Sequence, residues 1–86
     1  MTENIFIKNL PTLDLHGATY DIAVVMTNDF IMENLILKNN KIVIIHGIGM
    51  GIVKNAVIKA LKENKNVIDY KVDIFNPGCT IVELKI

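Results

Sequence analysis

The sequence predicts an α/β two-layer sandwich of α+β type, ordered β-α-β-α-β-β, in which a four-stranded mixed sheet carries two helices on one face. Three observations predict it. Ile42, Val43, Ile44 and Ile45 form an apolar run without alternation, which suits a strand covered on both faces or a central one. Val53, Ala56, Val57, Ala60 and Leu61 recur at the spacing of a helix stripe that faces a core. Val67 to Phe75 alternates and is followed by Asn76-Pro77-Gly78, the signature of a half-buried strand entering a turn.

Taken in order, residues 1–9 are an N-terminal extension whose Ile5-Phe6-Ile7 is an extra strand, an arm or a loose segment, and residues 10–86 are the domain. Leu13 to His16 reads as a short strand ended by Gly17. Ala18 to about Lys38 then spans a long helix with Tyr20, Ala23, Thr27, Phe30, Ile31 and Asn34 on its inner face, stopped by Asn39-Asn40. Lys41 to His46 is the buried strand, and the second helix runs from about Met50 to Asn64. In the third strand, Ile68, Tyr70, Val72 and Ile74 are expected on the core side and Asp69, Lys71 and Asp73 on the other. Thr80 to Ile86 returns as the last strand, so two right-handed crossovers precede a hairpin.

A chain of 86 residues closes one core and has no room for a separate substrate lobe, so any site sits on the rim. Its composition, 51% hydrophobic and 21% charged, excludes the profile of a disordered chain. Net charge is zero and all nine basic residues are lysines, so phosphate attraction must come from a local patch. No apolar stretch approaches the roughly 20 residues that span a bilayer, the single Cys79 has no internal disulfide partner, and the start lacks a signal-like positive region. A cytoplasmic location is expected.

Chemistry concentrates at two strand-His-Gly junctions, Asp14-Leu15-His16-Gly17 and His46-Gly47. Parallel strands would bring both to one edge, where ligands of open α/β sheets bind, and the turn from Asn76 to Cys79 returns to that edge. His46-Gly47-Ile48-Gly49-Met50-Gly51 runs from a buried strand into a helix start, where free amides favour an anion such as phosphate; a tight turn alone would also explain the glycines. The spacing does not match a dinucleotide fingerprint, and no P-loop lysine follows. Asp14, His16, His46 and Cys79 lack the paired spacing of a zinc site. The second helix carries Lys54, Lys59, Lys62 and Lys65 against one acid, Glu63, and Lys54, Lys62 and Lys65 share a face, which is either a phosphate track or a solvated surface.

At these junctions the chain resembles the Smr (small MutS-related) family over about Leu10 to Leu84. Leu13-Asp14-Leu15-His16-Gly17 reproduces an LDLHG opening, Ile45-His46-Gly47-Ile48-Gly49 an HGxG segment, and Gly78-Cys79-Thr80-Ile81-Val82-Glu83-Leu84 a closing G-A-T-x-V-x-L pattern. The family occurs alone in short bacterial proteins and at the C-terminus of a bacterial MutS paralogue. The resemblance implies a fold similar to the C-terminal domain of translation initiation factor three, with the last strand inserted between the second and third. It also implies DNA or RNA binding at the edge that holds both motifs. Some members nick DNA or cleave RNA, with the acid and histidine of LDLH implicated. Three departures stand out. Ile48 replaces the usual Lys or Arg, Val53-Lys54 replaces Leu-Arg, and a Gly-Gly before the last motif is missing; each predicts weaker phosphate affinity.

The expectation is therefore a nucleic-acid-binding domain with a metal-assisted nicking activity. In it Asp14 binds Mg²⁺ or Mn²⁺ or orients His16, and His16 serves as general acid or base. His46, Gly47, Gly49 and Gly51 hold the phosphate, Lys54 neutralises it, and Gly78 to Thr80 form the opposite wall. A rival expectation is a non-catalytic interaction module, homodimeric through the outer side of the first helix, where Ile22, Val25, Met32 and Ile36 would remain exposed in a monomer.

Overall fold

The computed structural model describes residues 9–86, so the expectation for Ile5-Phe6-Ile7 lies outside the described residues. Six elements follow the predicted order: β1 (Thr12–Asp14), α1 (Tyr20–Ile36), β2 (Lys41–Ile45), α2 (Ile52–Glu63), β3 (Val67–Val72) and β4 (Cys79–Leu84). The sheet order is β1-β2-β4-β3. β1 pairs in parallel with β2, and β4 lies antiparallel to both β2 and β3, so the last strand is inserted between the second and third. β2 is thus central, which is why its apolar run does not alternate.

Register divides the sheet into two faces. Leu13 pairs with Ile44, Ile42 with Val82 and Tyr70 with Val82, and this face meets Ala23 and Ile31 of α1 and Ala56, Val57 and Leu61 of α2 in one core. Both helices therefore cover one side of the mixed sheet. Among the described residues, ten buried side chains form that core.

Each helix end has a local cause. The Thr19 hydroxyl accepts the Ile22 N–H at 3.3 Å, satisfying one free donor of α1, and Asp21 complements the dipole in the first turn. At the other end Lys38 adopts a left-handed φ of 62°, and the Asn39 N–H reaches the Asn34 carbonyl at 2.9 Å. That is a Schellman closure, with lysine where glycine is usual. Asn34, buried, ties the closure down: its amide donates to the Phe30 carbonyl and its oxygen accepts from Asn39. α2 starts at Ile52, two residues later than the Met50 that its pattern predicts, because Gly51 takes a left-handed φ of 83° at the N-cap.

Four other expectations are corrected. β1 ends at Asp14, so His16 belongs to the following turn, where its N–H bonds the Asp14 carboxylate at 2.9 Å. β3 ends at Val72 and contains a β-bulge: Val67 pairs with Leu84 and Asp69 with Glu83, which leaves Ile68 as an extra, exposed residue. Beyond the strand Ile74 is exposed, whereas Asp73, expected outside, is buried; its carboxylate accepts the Phe75 N–H at 3.1 Å. Tyr20, expected inside, is largely exposed at the start of α1. No helix among the described residues is long and apolar enough to cross a membrane.

Candidate nucleic-acid interface

The carboxyl ends of β1 and β2 open into a pocket of about 490 Å³. Its walls come from three segments: Asp14 to Gly17 after β1, Ile45 to Gly51 after β2, and Ile52 to Lys54 in the first turn of α2. Asp14, His16, His46, Gly47, Gly49, Gly51 and Lys54, all candidates from the sequence, thus border one space. Gly78 and Thr80 do not line it.

The two histidines, alike in sequence, differ in environment for a reason of register. Asp14 pairs with Ile45, and the Leu15 N–H continues the ladder to the Ile45 carbonyl at 2.9 Å. Leu15, not His16, is therefore the neighbour of His46. A one-residue offset reverses the side that each side chain takes. Leu15 and His46 turn toward the core, while His16 is exposed.

His46 is consequently a structural residue. Nδ1 lies 2.8 Å from the Gly47 carbonyl and Nε2 lies 2.7 Å from the Thr80 hydroxyl. A carbonyl only accepts, so Nδ1 carries the proton and Nε2 accepts from Thr80. Burial pushes the His46 pKa below its ordinary 6.5; the Gly47 bond opposes that shift, and the Lys54 charge adds to it. With both nitrogens of the neutral ring engaged within the protein, His46 borders the pocket without a free N–H for phosphate in this arrangement. Thr80, fully buried on the core side, is its partner and not a wall of the pocket.

Gly78 also acts from behind the pocket. Its carbonyl accepts the N–H groups of His46 and Gly47 at 2.9 and 3.0 Å, which fastens the β3–β4 turn to the base of the glycine loop. A Cβ at Gly78 would lie 3.3 Å from the Gly47 Cα, so any larger residue would force the turn or the loop to give by a few tenths of an ångström. The sequence motif that contains Gly78 and Thr80 flags these positions, but nothing in it distinguishes support from contact.

Gly51 supplies no side-chain cap and the first turn of α2 contains no acid, so no side chain of the cap or of that turn occupies the amides at the start of α2, which borders the pocket. Lys54 lines the pocket beside them. Lys62 lies elsewhere, on a shallow groove with Lys59 and Glu63, and Lys59 is paired with Glu63 at 2.8 Å. Lys65 lies beyond the end of α2 at Asn64. The expected three-lysine helical track is thus reduced to Lys54 at the pocket.

Asp14 is the pocket's one carboxylate, and one of its oxygens accepts the His16 N–H. No three of the His, Cys, Asp and Glu side chains converge to hold a metal among the described residues. Cys79 is buried behind the sheet edge, and burial, then Asp73 and Asp14, push its thiol pKa up, away from the reactive thiolate.

Comparison with known proteins gives one consistent result. The model of the Smr domain matches residues 13–85. The chain is 36% identical over 76 residues to the endonuclease MutS2 of Streptococcus suis strain 05ZYH33, a match that covers 85% of this chain and 10% of that protein. It is 38% identical over 68 residues to the endonuclease MutS2 of Lactobacillus johnsonii, covering 79% and 9%. The chain therefore spans about a tenth of the length of these relatives. Among solved structures, the Smr domain of Thermus thermophilus MutS2 superposes with a TM-score of 0.85 at 25% identity, over 90% of this chain and all of that one. YdaL, a stand-alone small MutS-related protein from Escherichia coli, gives 0.82 at 25% identity over 87% and 64% of the two chains.

Proposed function

Because this chain belongs to the Smr domain family, we propose that it binds DNA or RNA at the carboxyl edge of its sheet and nicks the bound strand. The observation that supports this reading is the single pocket shared by His16, Lys54 and the uncapped start of α2. Phosphate meets the amides at Gly49 to Ile52 and the Lys54 ammonium, a combination of backbone donors and charge suited to an anion. His16 is the group available for proton transfer: it is exposed in the pocket, whereas His46 is engaged. It takes the proton from an attacking water or delivers one to the departing oxygen.

Asp14 fixes the turn that presents His16, through the backbone bond, and adds the pocket's negative charge. Mg²⁺ or Mn²⁺ would find one protein carboxylate here and would need substrate oxygens for its remaining ligands, the usual manner in which Mg²⁺ joins phosphate sites. The experiment that tests the proposal is a binding titration against DNA and RNA oligonucleotides, run beside a nicking assay on supercoiled plasmid with each ion. Binding lost on Lys54→Gln and nicking lost on His16→Ala support it; neither binding nor nicking by the unmodified chain overturns it.

A second reading concerns assembly. Ile22, Val25, Met32 and Ile36 are all exposed on α1, interspersed with the exposed Asp21, Asp29 and Glu33. A contiguous exposed apolar patch marks a partner surface. A homodimer through this outer face would cover it, and light scattering on the purified chain distinguishes a mass near 9.6 kDa from twice that value.

A further inference from the structure

The loop between β2 and α2 alternates glycine with large apolar residues, Gly47-Ile48-Gly49-Met50-Gly51-Ile52. Its glycines take left-handed φ values of 78°, 22° and 83°, and a Cβ on any of them would meet nothing within 4 Å. They serve the bend and not a close approach, so the loop projects into open space. The side chains between them stand in solvent: Ile48 is 69% exposed, Met50 92% and Ile52 55%. All three line the pocket that contains His16 and Lys54. Ile74 and Phe75, in the turn that Gly78 fastens to this loop, are exposed too but line a separate depression with Lys71 and Ile81.

The pocket therefore combines the Lys54 cation with an apolar rim, Ile48, Met50 and Ile52 lying six, four and two residues before it in the chain. An occupant that satisfies both must present an anion beside an apolar plane. A duplex shows phosphates outward and hides its base faces by stacking, so the rim would gain little from it. An unpaired strand offers both groups. A protein partner is a poorer fit, because a few side chains on one loop fall well short of the ~800 Å² per partner of a stable interface.

We propose that this loop packs Ile48 and Met50 against unpaired bases beside the phosphate held at Lys54, so that the preferred substrate is a single-stranded stretch of nucleic acid. The proposal rests on the reading that the pocket binds nucleic acid. Apolar side chains of these types can insert between the bases of a duplex only by paying to unstack them, a cost that an unpaired strand does not carry.

Anisotropy titrations of labelled single strands of DNA and of RNA, the same DNA strand carrying abasic residues, and the matching duplex test it. The full chain is compared with an Ile48→Ala, Met50→Ala double variant. The unmodified chain should bind base-bearing single strands about tenfold tighter than the abasic strand or the duplex at equal salt, the effect of burying roughly 55 Å² of apolar surface. The double variant should lose that preference while keeping its melting temperature and salt dependence, since both side chains are exposed. Equal affinity for all four, or a preference that survives in the double variant, overturns the inference alone. Binding to none of them at low salt overturns the nucleic-acid reading and this inference with it. The DNA and RNA arms decide which strand chemistry the loop accepts.

Discussion

The His46 imidazole and the Thr80 hydroxyl lie 2.7 Å apart beneath the sheet edge, 34 residues apart in the chain, and their hydrogen bond joins β4 to the end of β2. Because the Gly47 carbonyl takes the Nδ1 proton, this bond requires the neutral ring. The folded-state pKa is depressed, so as pH falls the unfolded chain takes up the proton first. Stability from His46 is thus fully present above the unfolded value of 6.5 and is lost as pH falls from there through the folded-state value. A series of melting temperatures should show this decline in the unmodified chain and a shallower one in His46→Gln. Parallel curves would remove His46 as the cause. Thr80→Val, which strands Nε2 without a donor, should cost about 1–3 kcal/mol in a denaturant titration.

Gly78→Ala should disturb the site without touching the pocket. The added methyl falls 3.3 Å from the Gly47 Cα and from the Asn76 side-chain oxygen, so the turn must retreat and stretch its bonds to His46 and Gly47. A destabilisation of about 1 kcal/mol, the low end of overpacking costs, is expected, together with weaker oligonucleotide binding. An unchanged denaturation midpoint would show that the turn accommodates the methyl freely.

What could be read from the sequence depended on whether a residue's fate is local. The helix stripe of Val53 to Leu61 and the apolar run of β2 carry their own periodicity, and both elements form where the pattern puts them, within a residue or two. The insertion of β4 beside β2 came from the family resemblance; no local pattern encodes it. The difference between His16 and His46 was hidden, because it depends on pairing Asp14 with Ile45, a register between strands that no single-strand pattern contains. The bulge at Ile68 was hidden likewise, and it inverts the expected exposure of Ile68.

Lys38 offers a simple gain in stability. It occupies a left-handed position with φ of 62° that glycine adopts without strain. Lys38→Gly should raise stability by about 0.5–1 kcal/mol, read as a higher denaturation midpoint with the same slope. A loss of stability would mean that the lysine side chain contributes more than its backbone strain costs.

For catalysis, Asp14→Asn and His16→Ala separate charge from architecture. An amide oxygen at position 14 can still accept the His16 N–H, so Asp14→Asn should keep the fold while losing the pocket's negative charge. Each variant should lower plasmid nicking by roughly 10² to 10⁴, the usual contribution of an acid or base, and leave binding largely intact. Full nicking by either variant would remove that residue from the chemistry.

The central claim is that nucleic acid binds at the pocket where Lys54 lies, and a salt series of binding constants tests it most directly. Lys54→Gln should weaken binding to every oligonucleotide and flatten the log-log salt dependence by roughly 0.7 to 0.9, one phosphate contact. Lys62→Gln, on a separate groove with Glu63, should leave both unchanged. A slope that is unaltered by Lys54→Gln but falls with Lys62→Gln would contradict the account and move the interface to the outer face of α2.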